Sequence, residues 1–109
     1  MTFGEYQEFC KKTAVYPERG KNLVYPTLGL VGEAGEVAEK VKKLIRDRGN
    51  VLDETTKKEI AKEVGDVIWY VCMCAVELGF SFEEVVQMNL EKLRSRLARE
   101  KLHGDGDNR

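Results

Sequence analysis

An all-α fold, an antiparallel bundle of four helices, is what this 109-residue sequence predicts. Apolar residues recur at spacings of three and four along four segments, and no segment alternates in the manner of a strand. The breaks between segments are short and carry glycine or proline. Short connections between amphipathic helices favour antiparallel neighbours. The length fits one domain, able to remove roughly two-thirds of its unfolded surface from water.

The first helix is expected from Thr2, a candidate N-cap, to about Ala14, with Phe3, Tyr6, Cys10 and Ala14 at helical spacing. Pro17 and Gly20 break it, and a loop through Tyr25 and Pro26 follows. The second helix starts near Thr27 and carries Leu30, Ala34, Val37, Val41, Leu44 and Ile45 on one stripe. Arg46 and Arg48 suit its C-terminal dipole, and Gly49 ends it. The third opens at Asp53 or Thr55 and runs to Leu78 before Gly79, with Ile60, Val64, Val67, Val71 and Leu78 as its stripe. The fourth opens on a capping-box pattern, Ser81-Phe82-Glu83-Glu84, and continues through Val85, Met88, Leu93 and Leu97. Past Leu102 no apolar residue anchors the chain. One helical domain over residues 1–102 and a flexible tail over 103–109 are therefore expected, with His103 solvent-exposed.

Composition narrows the class. The chain is 42% hydrophobic and 34% charged, which excludes a disordered or low-complexity protein. Lys and Arg number 18 against 19 Asp and Glu, so no basic excess argues for nucleic acid. The longest apolar run, Val67 to Val76, is too short to span a bilayer, and the N-terminal stretch lacks a signal-peptide layout. Cys10, Cys72 and Cys74 form no CxxC pair, and one histidine cannot complete a common zinc pattern. Reduced thiols in a cytoplasmic protein are expected, with Cys72 and Cys74 as packing residues.

One internal echo carries chemistry. Residues 30–41, LVGEAGEVAEKV, align without gaps on residues 60–71, IAKEVGDVIWYV. The register superposes Glu33 on Glu63, Gly35 on Gly65 and Glu36 on Asp66. Carboxylates three residues apart project from one side of a helix. Both pairs lie at the same offset from their apolar stripes, so two packed helices can bring four acids into one shallow pocket. Glu39 points away from the stripe. At an effective dielectric of ~20, each pair of anions about 4 Å apart costs on the order of 4 kcal/mol. Protonation or a divalent cation relieves that repulsion, and all-oxygen ligation suits Mg²⁺ or Mn²⁺ with a phosphate substrate. The competing reading is a solvated acidic face, with Glu36 paired to Lys40 and Glu39 to Lys43. Gly35 and Gly65 weigh against it: each costs about 1 kcal/mol inside a helix, and only close helix approach or ligand access gives them a purpose.

These residues resemble the MazG-like, all-α nucleoside triphosphate pyrophosphohydrolases, whose signature is ExxE on one helix and ExxD on the next. The matching stretches are Tyr6 with Thr13 to Pro17, LGLVGEAGEVAE from Leu28, KEIAKEVGDVIWYV from Lys58, and SFEEVVQMNLEKLRSR from Ser81. Where some members carry a further acid before the first motif, this chain has Gly32. The resemblance implies Mg²⁺-dependent hydrolysis between the α- and β-phosphates of a (deoxy)nucleoside triphosphate, clearing particular nucleotides as monophosphate and pyrophosphate. It implies Glu33, Glu36, Glu63 and Asp66 as metal ligands, with Glu36 the first choice for orienting or deprotonating the attacking water. The family's Asn-x-x-Lys pattern falls on Asn89 and Lys92. Arg96 shares their side of the helix, and the cations suit phosphate oxygens while Asn89 suits a sugar or base. Tyr70, one turn beyond Asp66, is a candidate nucleotide contact or a packing residue, and Tyr16 and Tyr25 are candidate base contacts.

The third helix is apolar nearly all round between Val67 and Val76, with Trp69 and Val76 opposite its stripe. Such a helix is buried on two sides. A second copy of the chain supplies the second side most simply, giving a homodimer or dimer of dimers with Trp69 near the interface. The alternative cover is the first helix. The function class competing with the enzyme is a non-catalytic helical oligomerisation or interaction module.

Overall fold

Side-chain caps start three helices where the sequence places them. The computed structural model describes residues 1–100 and 102–109 and has no strand among them. Its helices are α1 (Phe3–Thr13), α2 (Val24–Asp47), α3 (Glu54–Glu77) and α4 (Phe82–Ala98). Thr2 and Ser81 both close full capping boxes, with Glu5 and Glu84 as reciprocal partners. Asp53, not Thr55, caps α3, its Oδ1 accepting from the Thr56 amide at 2.8 Å.

α2 starts one turn earlier than Thr27. The Tyr25-Pro26 pair, expected as loop, lies in its first turn, because a proline there removes only an N–H that has no helical partner. Asn22 completes the start, its Oδ1 accepting from the Tyr25 amide at 3.1 Å. At the other end Gly49 takes φ +58°, which lets the Asn50 amide return to the Leu44 carbonyl at 2.8 Å.

The buried core joins α1, α3 and α4. Cys10, Ala14, Tyr16, Cys72, Met73 and Phe82 form it, with Tyr6, Trp69, Val71, Val76 and Val86 packed against it. Phe82 meets Phe3 edge-on at 5.3 Å, which ties the start of α4 to the start of α1. Burial, reinforced by neighbouring Cys10, pushes the Cys72 thiol up to about 12, and all three cysteines are free. Trp69 reaches across to α1, its Nε1 donating to Thr13 Oγ1 at 2.9 Å. Cover for the second side of α3 thus comes in part from α1 within the same chain.

α2 stands outside that core. It packs antiparallel on α3 and touches neither α1 nor α4 among the described residues. Of its expected stripe only Leu44 is fully buried, while Leu30 and Val37 are half-buried and Ala34, Val41 and Ile45 are exposed. α4 leaves α3 at 98°. The radius of gyration is accordingly 16.7 Å, against about 13 Å for a compact chain of this length. The bundle is open on the α2 side.

The α1–α2 loop is anchored to α3 by one residue that the sequence did not single out. Glu77 accepts from the Tyr16 hydroxyl, from the Gly20 amide at 2.9 Å and from the Asn22 amide at 3.1 Å. Burial works against its charge, but these hydrogen bonds and nearby Arg19 outweigh it and hold the carboxyl below the usual glutamate range. Tyr16, so fixed, is buried and stacks on Tyr25 at 4.8 Å. Both tyrosines therefore brace the loop. A carboxylate with a depressed folded pKa contributes stability above its unfolded pKa and loses it as pH falls through the folded value. Glu77→Gln is expected to cost about 1–3 kcal/mol near neutral pH. Chemical denaturation of both proteins across pH 3–7 should show the gap shrinking as pH falls below about 4.

Candidate metal centre

The antiparallel seam of α2 on α3 sets three of the four predicted carboxylates together. Glu33 from α2 and Glu63 and Asp66 from α3 each offer an oxygen, and these oxygens lie within 4.8 Å of one another. Glu33 and Glu63 are half-buried and Asp66 is exposed. Burial raises the Glu33 pKa, and the charges of Asp66, Glu63 and Glu36, with a hydrogen bond to Glu63, push the same way. Like charges crowd here without a full set of counter-charges.

Glu36 stands outside the trio on the exposed side of α2, close enough for its charge to be felt at Glu33. The pairing expected of a merely solvated face is not made. Lys40 turns across the seam, its Nζ 3.8 Å from Glu63 Oε1, in place of pairing with Glu36 on its own helix. Glu39 pairs with Lys42 at 2.8 Å, not with Lys43. One lysine answers three acids, so the trio retains a net negative charge.

The donor set fits a hard divalent cation. All its donors are carboxylate oxygens, drawn from two facing helices, and opposed ligands of Mg²⁺ stand about 4 Å apart. Glu33, Glu63 and Asp66 would hold such an ion.

Beside the trio opens a recess of about 310 Å³ lined by Glu33, Asp66, Trp69 and Tyr70. The two rings meet edge-on at 4.9 Å. Burial raises the Tyr70 hydroxyl, and Tyr25, Glu33 and Asp66 add to the shift. Tyr70 also packs: a Cβ on Gly29 would overlap its ring, so Gly29 is the glycine that close helix approach requires. Of the two purposes expected of Gly35 and Gly65, close helix approach is not what they serve, since a Cβ on either would meet nothing within 4 Å. Gly65 lines a separate recess with Phe3, Tyr6, Ile68 and Phe82, on the side of α3 that faces α1 and the start of α4.

Among the described residues α4 packs on α1 and α3 and not on α2, and none of Asn89, Lys92 and Arg96 lines the recess beside the acids. Asn89 is exposed. Lys92 and Arg96 are both engaged by Asp107 of the C-terminal tail.

A family model, the MazG nucleotide pyrophosphohydrolase domain, matches residues 26–99. That span includes every carboxylate of the site together with Asn89, Lys92 and Arg96, and leaves α1 and the tail outside. The chain is similar to the Gene 37 protein of Mycobacterium phage L5, at 45% identity over 109 residues, covering 95% of this chain and 96% of that protein. It is also similar to the uncharacterized protein YvdC of Bacillus subtilis (strain 168), at 36% identity over 104 residues, covering 88% and 96%. No solved structure gives a significant match.

Crowded carboxylates destabilise a metal-free protein, so neutralising one relieves it. Asp66→Asn is expected to raise the melting temperature in EDTA by about 3 °C. The same variant should lose most of the further rise that millimolar Mg²⁺ or Mn²⁺ gives the unaltered protein, as scanning calorimetry would record.

Proposed function

Since the chain belongs to the MazG nucleotide pyrophosphohydrolase family, we propose that it hydrolyses nucleoside triphosphates to monophosphate and pyrophosphate with Mg²⁺ or Mn²⁺. The observation carrying this reading is the trio of Glu33, Glu63 and Asp66, whose oxygens converge from two helices beside an aromatic recess. A divalent ion there would offset the triphosphate charge and acidify the attacking water. The protein groups divide the remaining work. Glu36, free of the trio and near Glu33, is the general base that orients and deprotonates the water. Lys40, already leaning on Glu63, holds that carboxylate in place as charge shifts. Trp69 and Tyr70 offer faces to the base and sugar from the recess they line. Asn89, Lys92 and Arg96 take the sugar and the phosphates, their cations matching non-bridging oxygens.

Those α4 residues must meet the acids, and self-association is the proposed route. Val24, Leu28 and Val31 are each 67% exposed and Ile45 65%, a stripe along α2 left open among the described residues. A second copy seated on that stripe buries it and closes the open side of the bundle. The assembly is a homodimer or a dimer of dimers. The proposed setting is the cytoplasm, in keeping with three free thiols. Among the described residues no single helix is long and apolar enough to cross a membrane.

Incubation with a panel of ribo- and deoxynucleoside triphosphates and Mg²⁺ is expected to release pyrophosphate. Glu36→Gln and Asp66→Asn should each lower kcat about a hundredfold or more. Absence of release from every nucleotide supports the interaction-module reading, and orthophosphate as first product marks a phosphatase. Light scattering behind size exclusion is expected to give twice or four times the chain mass at micromolar concentration. A monomer there would remove the proposed route by which α4 reaches the acids.

A further inference from the structure

Arg96 has the position of an anion-binding residue, and the anion it holds belongs to its own chain. Its side chain is only 8% exposed, and a buried guanidinium left without a partner is strongly disfavoured. Among the described residues its ion-pair partner is Asp107. Arg96 donates to the Asp107 carbonyl at 2.6 Å and lies 3.3 Å from its Oδ1. Lys92, one turn earlier, places Nζ 2.6 Å from the same Oδ1. A carboxylate oxygen between an ammonium and a guanidinium stands where a phosphate oxygen would bind. Hydrogen bonding and charge from Lys92, then from Arg96, hold the Asp107 carboxyl below the usual aspartate range.

Taking Lys92 and Arg96 as the phosphate contacts of the proposed function, we propose that Asp107 is their resting occupant, so that residues 104–109 are a strap that an incoming polyphosphate displaces. The pyrophosphohydrolase reading supplies the class of ligand. The contact itself supplies the competition. Asp107 is 75% exposed and Lys92 38%, so this pair is screened by water and salt. A polyphosphate brings several charges to a site that a single carboxylate now fills.

The strap is built to move as a unit. Arg109 staples it internally, donating to the Gly106 carbonyl at 2.7 Å and the Leu102 carbonyl at 2.9 Å. Gly104 at φ +137° and Gly106 at φ +78° give the turn its shape, and a Cβ on Gly104 would stand 2.9 Å from Arg109 Cδ. Its outer tie to α4 is Arg99, which donates to the Arg109 carbonyl at 2.7 Å. Arg109 Nε is buried without a hydrogen-bond partner. The resting strap thus holds one cationic donor without a partner, a cost that its displacement into water relieves.

The test is pyrophosphate binding in EDTA, where the carboxylate trio holds no metal and takes no part. Calorimetry is expected to show Asp107→Asn binding pyrophosphate about fivefold tighter than the unaltered chain at low salt. Arg96→Gln should bind none, with unchanged helix content by circular dichroism. Backbone amide resonances of residues 104–109 in the unaltered protein should shift and sharpen as pyrophosphate is added. Equal or weaker binding by Asp107→Asn overturns the strap, as does absence of binding by both proteins or a tail whose resonances stay fixed at saturation. A chain that binds pyrophosphate this way yet hydrolyses no nucleotide refutes the catalytic reading and leaves the strap standing.

Discussion

The placement of α2 along α3 is the constraint on which the site depends. α2 packs on no other helix among the described residues, so this single seam decides where its acids fall. Side-chain contacts pin it along its length. Asn22 and Gly20 are held by Glu77, Gly29 accepts the Tyr70 ring, Lys40 leans on Glu63, and Arg48 donates to Thr56 at 2.9 Å. From the loop before α2, along α2 at Gly29 and Lys40, to Arg48 at its C-cap, each contact meets a residue further back along α3, which is the antiparallel register itself. A slip of one residue turns each side chain by about 100°. Glu33 would then leave Glu63 and Asp66.

That seam concentrates charge where the protein is least buried. The apolar core lies between α1, α3 and α4, and the acids sit beside it on the α2–α3 seam, half in water. Solvent softens their repulsion, and the nearby Lys40 offsets only part of it. Full burial of three carboxylates would have driven protonation, and full exposure would have left them as ordinary surface acids. The intermediate placement keeps them close together and open to solvent. Those are the properties a hard cation requires.

Charge is managed differently on the seam and on α4. At the seam, anions outnumber cations and converge on a gap. On α4, Lys92 and Arg96 face a single carboxylate from the tail. A nucleoside triphosphate combines both needs, since its phosphates suit the cations and its bound metal suits the acids. The apolar stripe on α2 and the sideways course of α4 leave room for these regions to be joined by another copy of the chain.

Helix boundaries, caps and the four acids were legible in the sequence because each rests on local rules: periodicity, a capping side chain, and a three-residue spacing on one helix face. Thr2, Asp53 and Ser81 cap their helices because the orphan amides they satisfy lie within three residues. The exception, Pro26, shows the limit, since a proline reads as a break but is harmless in a first turn. Glu77, Gly29 and Asp107 were invisible for the opposite reason. Their partners stand far along the chain, and neither a glutamate near a helix end nor an aspartate in a polar tail announces a distant contact. Lys40 belongs with them: spacing alone pairs it with Glu36, and only the facing helix redirects it to Glu63. The amino-acid order by itself determined which helices form and which faces carry acid. The tertiary structure decided which three acids meet, which glycine a neighbouring ring needs, and what occupies the cations of α4, because those outcomes depend on how one helix is set against another.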